Sequence, residues 1–348
     1  MWHACSMRSE MVSETTNLLE TKDLLKWFPQ RGGFLNRAQS YLKAVDGVTL
    51  GVRKGETLGL VGESGCGKTT LGRTIMRLTE PSGGSVKFEG NEISKLRRGA
   101  LKPFRRKMQM VFQDPYASLD PRQSVRSALV EPMRIHKITR SRKESNDFAE
   151  ELIDKVGLNQ DHLSRFPHEF SGGQRQRIAV AIALAARPSF LVLDEPTSSL
   201  DVSVQAQVLT LLQDLKQNLG LTYLFISHNL AVIRQMCDRT AVMYLGRVVE
   251  YAPTRLLFDN PKHPYTVALL SSVPIPDPRK RGQLAVLSGD VPNAIDIPSG
   301  CRFRTRCEFA TDRCSSVSPP LVEVEKDHWV ECLYDIDFSK RSKMELVA

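Results

Sequence analysis

Residues 62–70 read GESGCGKTT, and the fold follows from how this stretch is read. It sets a glycine, four intervening residues and then Gly-Lys-Thr. An apolar run, Thr57-Leu58-Gly59-Leu60-Val61, precedes it, and Leu71-Gly72-Arg73-Thr74-Ile75-Met76 can continue as a helix. Strand, glycine loop and helix together are the context in which this spacing binds phosphate. Gly62, Gly65 and Gly67 permit a tight turn whose backbone N–H groups point inward at an anion. The helix start adds partial positive charge behind them. Lys68 can reach the β- and γ-phosphates of a nucleoside triphosphate, and the Thr69 hydroxyl can ligate Mg²⁺.

The rest of the composition narrows the setting. A chain of 348 residues accommodates one large domain, or a main domain with an appendage. At 41% hydrophobic and 25% charged residues it reads as a soluble globular protein, without an apolar run of membrane-spanning length. The opening MWHACSMRSEMVSE lacks an apolar core followed by a small-residue cleavage site, so a cytosolic location is expected. The net charge of +9 is locally concentrated at Arg97-Arg98 and Arg105-Arg106-Lys107. These short runs read as solvated basic faces. They lack the interleaved aromatic residues of a nucleic-acid stripe, and no nucleic-acid partner is expected.

Upstream of the loop, Asn17-Leu18-Leu19-Glu20 is a candidate strand, 24–37 reads as irregular because of Pro29 and Gly32-Gly33, and 41–52 alternates as a strand should. An adenine needs a flat partner, and Tyr41 and Phe34 are both candidates, Tyr41 preferred. Downstream, 85–88 and 108–112 are short strands, and the second runs into Gln113-Asp114-Pro115. Gln113, at a strand end, can ligate Mg²⁺ and touch an attacking water through its amide oxygen. Residues 123–186 look helical, with apolar periodicity over 144–157 and 174–186. The latter helix follows Phe170-Ser171-Gly172-Gly173, where Ser171 is a good N-cap and the glycines expose backbone N–H groups. This is a second anion-binding helix start. One chain cannot readily use both on one triphosphate, but a head-to-tail pair of chains can.

The apolar run 190–193 ends in Asp194-Glu195. Asp194 can bind Mg²⁺ through water, and Glu195 can polarise a water aimed at the γ-phosphate. Pro196-Thr197-Ser198-Ser199-Leu200-Asp201 follows, then a helix over 204–219 closed by Gly220. A further buried strand, 221–226, ends in Ser227-His228, where the histidine can contact the γ-phosphate. Residues 240–251 read as a closing hairpin turning at Gly246.

GESGCGKTT, Gln113, FSGGQRQR, LVLDEP, SSLD and Ser227-His228, in this order and spacing, resemble the ATP-binding cassette of ABC transporters over about residues 15–255. The resemblance implies a RecA-like P-loop NTPase core of α/β class, with an antiparallel β subdomain and a helical signature subdomain over about 120–186. It implies that Gly62, Glu63, Ser64, Gly65, Cys66, Gly67, Lys68, Thr69 and Thr70 bind nucleotide as the Walker A loop, with Gln113 as the Q-loop. Ser171, Gly172, Gly173 and Gln174 become the signature, which reaches ATP in trans. Asp194 becomes the Walker B acid, Glu195 the catalytic glutamate, Asp201 the D-loop acid and His228 the switch histidine. Mg²⁺ would be held by Thr69, Gln113 and Asp194. Phe170 stands where leucine is usual, and Asn229 where an aspartate commonly follows the switch histidine.

The tail is similar to that of oligopeptide/dipeptide importer ATPases, through Asn260-Pro261-Lys262-His263-Pro264-Tyr265-Thr266, Ser272-Val273-Pro274-Ile275-Pro276-Asp277-Pro278 and the stretch PSGCRFRTRC ending at Cys307. By that resemblance an ATPase domain over 14–258 carries a small Cys-containing extension over 259–348. Its partners are a second, D-type cassette subunit, two membrane permeases and, through them, an extracytoplasmic binding protein. The subunit would lie peripherally on the cytoplasmic face of the membrane. Four tail cysteines, Cys301, Cys307, Cys314 and Cys332, are spaced Cys-x5-Cys-x6-Cys-x17-Cys. Four thiolates suit a [4Fe–4S] cluster, and some members of the subgroup carry one at such positions; Zn²⁺ is the alternative, though no Cys-x2-Cys knuckle is present.

Overall fold

The computed structural model describes residues 17–32, 37–271, 292–336, 338 and 344–346. Phe34, Cys5, the first sixteen residues and the proline-rich stretch 272–278 lie outside the described residues. In chain order the elements are β1 (Asn17–Gly32), β2 (Arg37–Arg53), β3 (Thr57–Val61), α1 (Lys68–Ile75), β4 (Gly83–Phe88) and β5 (Asn91–Glu92). There follow α2 (Lys102–Lys107), β6 (Met108–Val111), α3 (Pro115–Ser118), α4 (Val125–Ile135), α5 (Arg142–Lys155), α6 (Gly172–Leu184), β7 (Phe190–Asp194), α7 (Val202–Leu219) and β8 (Thr222–Ile226). The last part contains α8 (Leu230–Met236), β9 (Arg239–Tyr244), β10 (Arg247–Pro253), α9 (Thr254–Asp259), α10 (Pro264–Ser271), α11 (Asp312–Ser316), and β11 (Val322–Glu325), β12 (His328–Val330), β13 (Tyr334–Ile336) and β14 (Met344–Leu346).

The chain divides into two compact units. The first gathers the described parts of 1–52, 58–94 and 227–348. One of its sheets runs β2-β1-β4-β5, with β1 antiparallel to β4. Thr21 stitches β1 to β2: its hydroxyl donates to the Val48 carbonyl at 3.1 Å and accepts the Leu50 N–H at 3.1 Å. Contrary to the expectation of an irregular 24–37, β1 continues to Gly32. Its register with β4 ends at Leu25↔Gly83, after a bulge where Asp23 takes φ 46°. Beyond that pairing Pro29 displaces no ladder bond to β4, which is why proline is tolerated there.

Also in the first unit, β3 and β9 run parallel, and β10 and β12 continue from β9 in antiparallel fashion, with β11 outermost. Both β3 and β9 are buried throughout, as near-continuous apolar runs in a two-sided parallel sheet should be. The β11–β12 hairpin belongs to the tail, yet it pairs directly with β10. Its anchor is Glu250, 0% exposed, whose carboxylate accepts His328 Nε2 at 2.7 Å and the N–H groups of Lys262 and His263 at 2.7 and 3.0 Å.

The second unit comprises 53–57 and 95–226. Its parallel strands lie in the order β8-β7-β6, all residues of β7 and β8 being buried. Helices α4, α5 and α6 pack on one another beside them. Each start is written in the sequence: Ser124, Ser141 and Ser171 accept the N–H groups of Ser127, Glu144 and Gln174. Gly220 closes α7 in the left-handed conformation, φ 62°.

Burial depresses His263 from its usual 6.5 to about 4, with the nearby Glu250 charge pulling it partly back. The folded chain therefore binds this proton less readily than the unfolded chain does. The contribution is complete above about pH 6.5 and is lost as pH falls through about 4. Urea denaturation across that window should show stability falling with acidification, and His263→Gln should make the decline shallower.

Candidate nucleotide site

In the first unit the glycine loop is held on both sides. The Cys66 carbonyl accepts the Gly246 N–H at 2.9 Å, and the Gly246 carbonyl accepts the Asp46 N–H at 2.8 Å. Gly67 starts α1 with φ 109°, and a Cβ there would meet the Ala44 carbonyl oxygen at 2.0 Å. Only glycine fits both demands. Ser64 and Gly65 are exposed at the loop's crest, whereas Cys66 is buried, which raises its thiol. Lys68 is 5% exposed, and its ammonium donates to the carbonyls of Gly62 at 2.7 Å and Glu63 at 3.0 Å. It thus sits inside the turn of the loop, where phosphate oxygens can take over those bonds. Thr69 and Thr70 follow as half-buried residues of α1.

The loop also touches the tail, which sequence reading did not anticipate. Glu63 gives its N–H to the Tyr265 hydroxyl at 2.8 Å, and its carboxylate receives both terminal nitrogens of Arg306, at 2.7 and 2.9 Å. The Glu63 N–H is therefore not one of the inward-pointing donors expected of the loop. Tyr41 is exposed and has the Trp27 ring 6.2 Å away. Trp27 donates its indole N–H to Asp46 at 2.9 Å, and Lys43 lies over its face at 5.1 Å. Asp46 also receives the guanidinium of Arg302, which bonds the Leu245 carbonyl too. The aromatic surface beside the loop is thus a pair of rings, of which sequence reading found one.

His228 is exposed just after Ser227, whose N–H donates to the Leu60 carbonyl at 3.2 Å. Asn229 caps α8, its Oδ1 accepting from Ala231 and Val232 at 3.0 and 3.4 Å. The amide is thereby committed to the helix start, a task that its departure from the expected aspartate leaves intact.

In the second unit Asp194 ends β7 at 1% exposure, and the chain then turns sharply: Glu195 takes φ 48°, a costly conformation for glutamate. Its N–H donates to the Ile226 carbonyl at 2.9 Å, which fixes the turn. Gln113 donates its amide N–H to the Glu195 carboxylate at 3.1 Å. With that nitrogen committed, the amide oxygen is the end available to a cation. Gln113 leads through Asp114, which caps α3 by accepting the Tyr116 N–H at 2.8 Å. Tyr116 in turn lies under the guanidinium of Arg175, 4.9 Å away, on α6. One short segment therefore joins Glu195 to the helix that begins at Ser171.

That helix start is a reciprocal cap. Ser171 Oγ accepts the Gln174 N–H at 3.3 Å, and Gln174 Oε1 accepts the Ser171 N–H at 3.0 Å. Ser171 and Gly172 are exposed, while Gly173 is buried with no room for a side chain; a Cβ would meet Val204 at 2.2 Å. Asp201, exposed, precedes the α7 helix and supplies the carbonyl for Gln205 at 2.8 Å.

Comparison with known proteins identifies the family and the fold. Residues 45–198 match the ABC transporter family, and 249–314 match the oligopeptide/dipeptide transporter C-terminal region. The oligopeptide transport ATP-binding protein AppF of Bacillus subtilis (strain 168) is 49% identical over 320 residues, covering 90% of this chain and 96% of AppF. Among solved structures, the dimeric ATP-binding cassette MJ0796 bound to ADP and phosphate has a TM-score of 0.61 at 27% identity, over 68% of this chain and 99% of that one. The cassette cbiO1 of Clostridium perfringens has 0.60 at 25% identity, over 70% and 91%. The chain belongs to the ATP-binding proteins of the ABC oligopeptide/dipeptide transporter family, and it is an ABC-type ATPase.

The expected metal centre in the tail is corrected. Cys301, Cys307, Cys314 and Cys332 are free thiols, and among the described residues no group of three or more His, Cys, Asp or Glu side chains is placed to hold a metal ion. Burial pushes the Cys301 and Cys307 thiols up to about 12, and Cys332 upward as well. Neither the [4Fe–4S] cluster nor the zinc alternative stands. The cysteine loop is closed by the backbone instead, the Cys301 N–H donating to the Cys314 carbonyl at 2.8 Å.

Removing the Lys68 ammonium takes away a charge-assisted donor to phosphate. Lys68→Ala should weaken binding of a fluorescent ATP analogue about 10- to 100-fold in direct titration.

Proposed function

We propose that the chain is the ATP-driven motor of a peptide importer, working as one half of a cassette dimer. The phosphate loop of one subunit and the exposed Ser171-Gly172 helix start of the other grip each ATP. The partner cassette is a related D-type subunit, and the pair moves two membrane permeases fed by an extracytoplasmic binding protein. Peptide cargo is supported by the family match of the tail and by the name of AppF. Among the described residues no helix is long and apolar enough to cross a membrane. The membrane attachment we propose is peripheral, on the cytoplasmic face, through the permeases. In this division residues 14–258 form the ATPase domain and 259–348 the tail.

The observation that carries the catalytic reading is Glu195, held in a left-handed turn and hydrogen-bonded to Gln113. The Glu195 carboxylate takes a proton from water as the water oxygen bonds to the γ-phosphorus. The bond from that phosphorus to the bridging oxygen breaks, its electron pair stays on ADP, and inorganic phosphate leaves. Lys68 offsets charge on the β- and γ-phosphates, and His228 contacts the γ-phosphate. The Thr69 hydroxyl, the Gln113 amide oxygen and the buried Asp194 carboxylate are hard oxygen donors of the kind Mg²⁺ takes, and they would hold it. When bound, Mg²⁺ neutralises phosphate charge that two adjacent acids would otherwise repel.

The segment from Gln113 to Tyr116 suits the permease contact. It touches Glu195 at one end and Arg175 of the signature helix at the other, and Tyr116 is 55% exposed. A push there reaches both groups.

Glu195→Gln should keep ATP binding and slow steady-state hydrolysis about 10²–10⁴-fold; turnover near wild type would reassign the base. Purification of the tagged chain from membranes should bring down a second cassette and two permeases, identified by mass spectrometry. Recovery of the chain alone from the membrane fraction would count against the motor reading.

A further inference from the structure

Glu63 occupies an awkward place. It is the second residue of the loop that must receive a highly anionic ligand, yet it carries a negative charge. The tail answers this. Arg306 makes a two-pronged ion pair with the Glu63 carboxylate and is itself 4% exposed at its side chain, against 23% for Glu63. That contact holds the Arg306 guanidinium more strongly protonated than usual despite the burial of its surroundings. The guanidinium also sits over the Tyr244 ring, 5.9 Å from its centroid.

The ground beneath the pair is rigid. Tyr244, Tyr265 and Phe303 form a triad of rings with centroids 4.7, 5.3 and 5.5 Å apart. Tyr265 is fully buried, and burial raises its phenol so that it remains a neutral hydroxyl, accepting the Glu63 N–H. Its own N–H donates to His263 Nδ1 at 3.1 Å, and the His263 N–H donates to Glu250. A continuous run of bonds thus leads from the buried Glu250, where the tail hairpin is anchored, to the second residue of the phosphate loop.

We propose that Arg306 is a positioning residue for ATP: the tail docks on the phosphate loop, turns the Glu63 carboxylate away and cancels its charge, and so sets the affinity for the triphosphate. Tyr265 fixes the backbone of the same residue. The inference rests on the phosphate loop holding ATP, as described above. It makes the tail a determinant of nucleotide affinity, and coupling of this kind is reciprocal: ATP in the loop also favours the docked tail.

The test uses the full-length chain, with ATP affinity by equilibrium titration and steady-state hydrolysis. Arg306→Gln leaves the Glu63 charge uncompensated and should raise both Kd and KM for ATP about tenfold, with kcat changed less than about twofold. Arg306→Lys keeps the charge, loses the two-pronged geometry and should fall between. The decisive variant is the double change Glu63→Gln with Arg306→Gln. By removing the orphaned charge it should bring Kd back to within about threefold of wild type. A purely structural arginine would give no such rescue, and a double variant that binds as poorly as Arg306→Gln would overturn the proposal. Wild-type affinity in Arg306→Gln, with wild type binding ATP, would overturn it too. A wild-type chain that bound no ATP would overturn the nucleotide reading itself, and this inference with it.

Discussion

Backbone pressed against backbone is the constraint on which the first unit depends. The loop at 62–67 lies so close to the Ala44 carbonyl and to the β9–β10 turn that side chains are excluded at its turning points. That closeness makes the loop stiff, since its shape is set by the Ala44 carbonyl of β2, the Met243 carbonyl of β9 and the Gly246 N–H rather than by its own residues. It also means that anything bearing on those neighbours bears on the loop. Arg302 does so through Asp46 and Leu245, and Arg306 does so through Glu63. The tail's arginines are placed where the loop has no freedom to ignore them.

In the second unit, the corresponding constraint is the bend after β7. Glu195 is held in a conformation that glutamate disfavours, and the Ile226 carbonyl and Gln113 amide hold it there. In the role of base that we propose for Glu195, strain kept at the carboxylate is a form of preorganisation: the group does not have to find its orientation during the reaction. The price falls on the surrounding strands, which are buried along their whole length and able to bear it.

Much of this was readable from local sequence because the causes are local. The runs TLGLV, FLVLD and TYLFI are continuous apolar strands, and Ser171 with Gln174 announces a capped helix. The contact between Gln113 and Glu195 was foreshadowed only by both sitting at strand ends. Where breakers were trusted the reading failed: Pro29 does not end β1, because its pairing with β4 has stopped by then. The ion pair between Glu63 and Arg306 joins residues 243 apart and has no local signature. Cysteine spacing misled for a related reason. It records how many thiols are near one another in sequence, whereas a metal needs them gathered in space, and among the described residues no such group is placed to hold one. The arginines interleaved in PSGCRFRTRC were the informative residues of that stretch.

The β11–β12 hairpin does one more thing by lying where it does. Placed on β10, it becomes the outer border of its sheet, and that border is only four residues long, Val322-Glu323-Val324-Glu325, with both glutamates exposed. A short rim studded with like charges is a poor template for a strand from another molecule. The longer and more apolar β10 is thereby kept from being the open edge of its sheet.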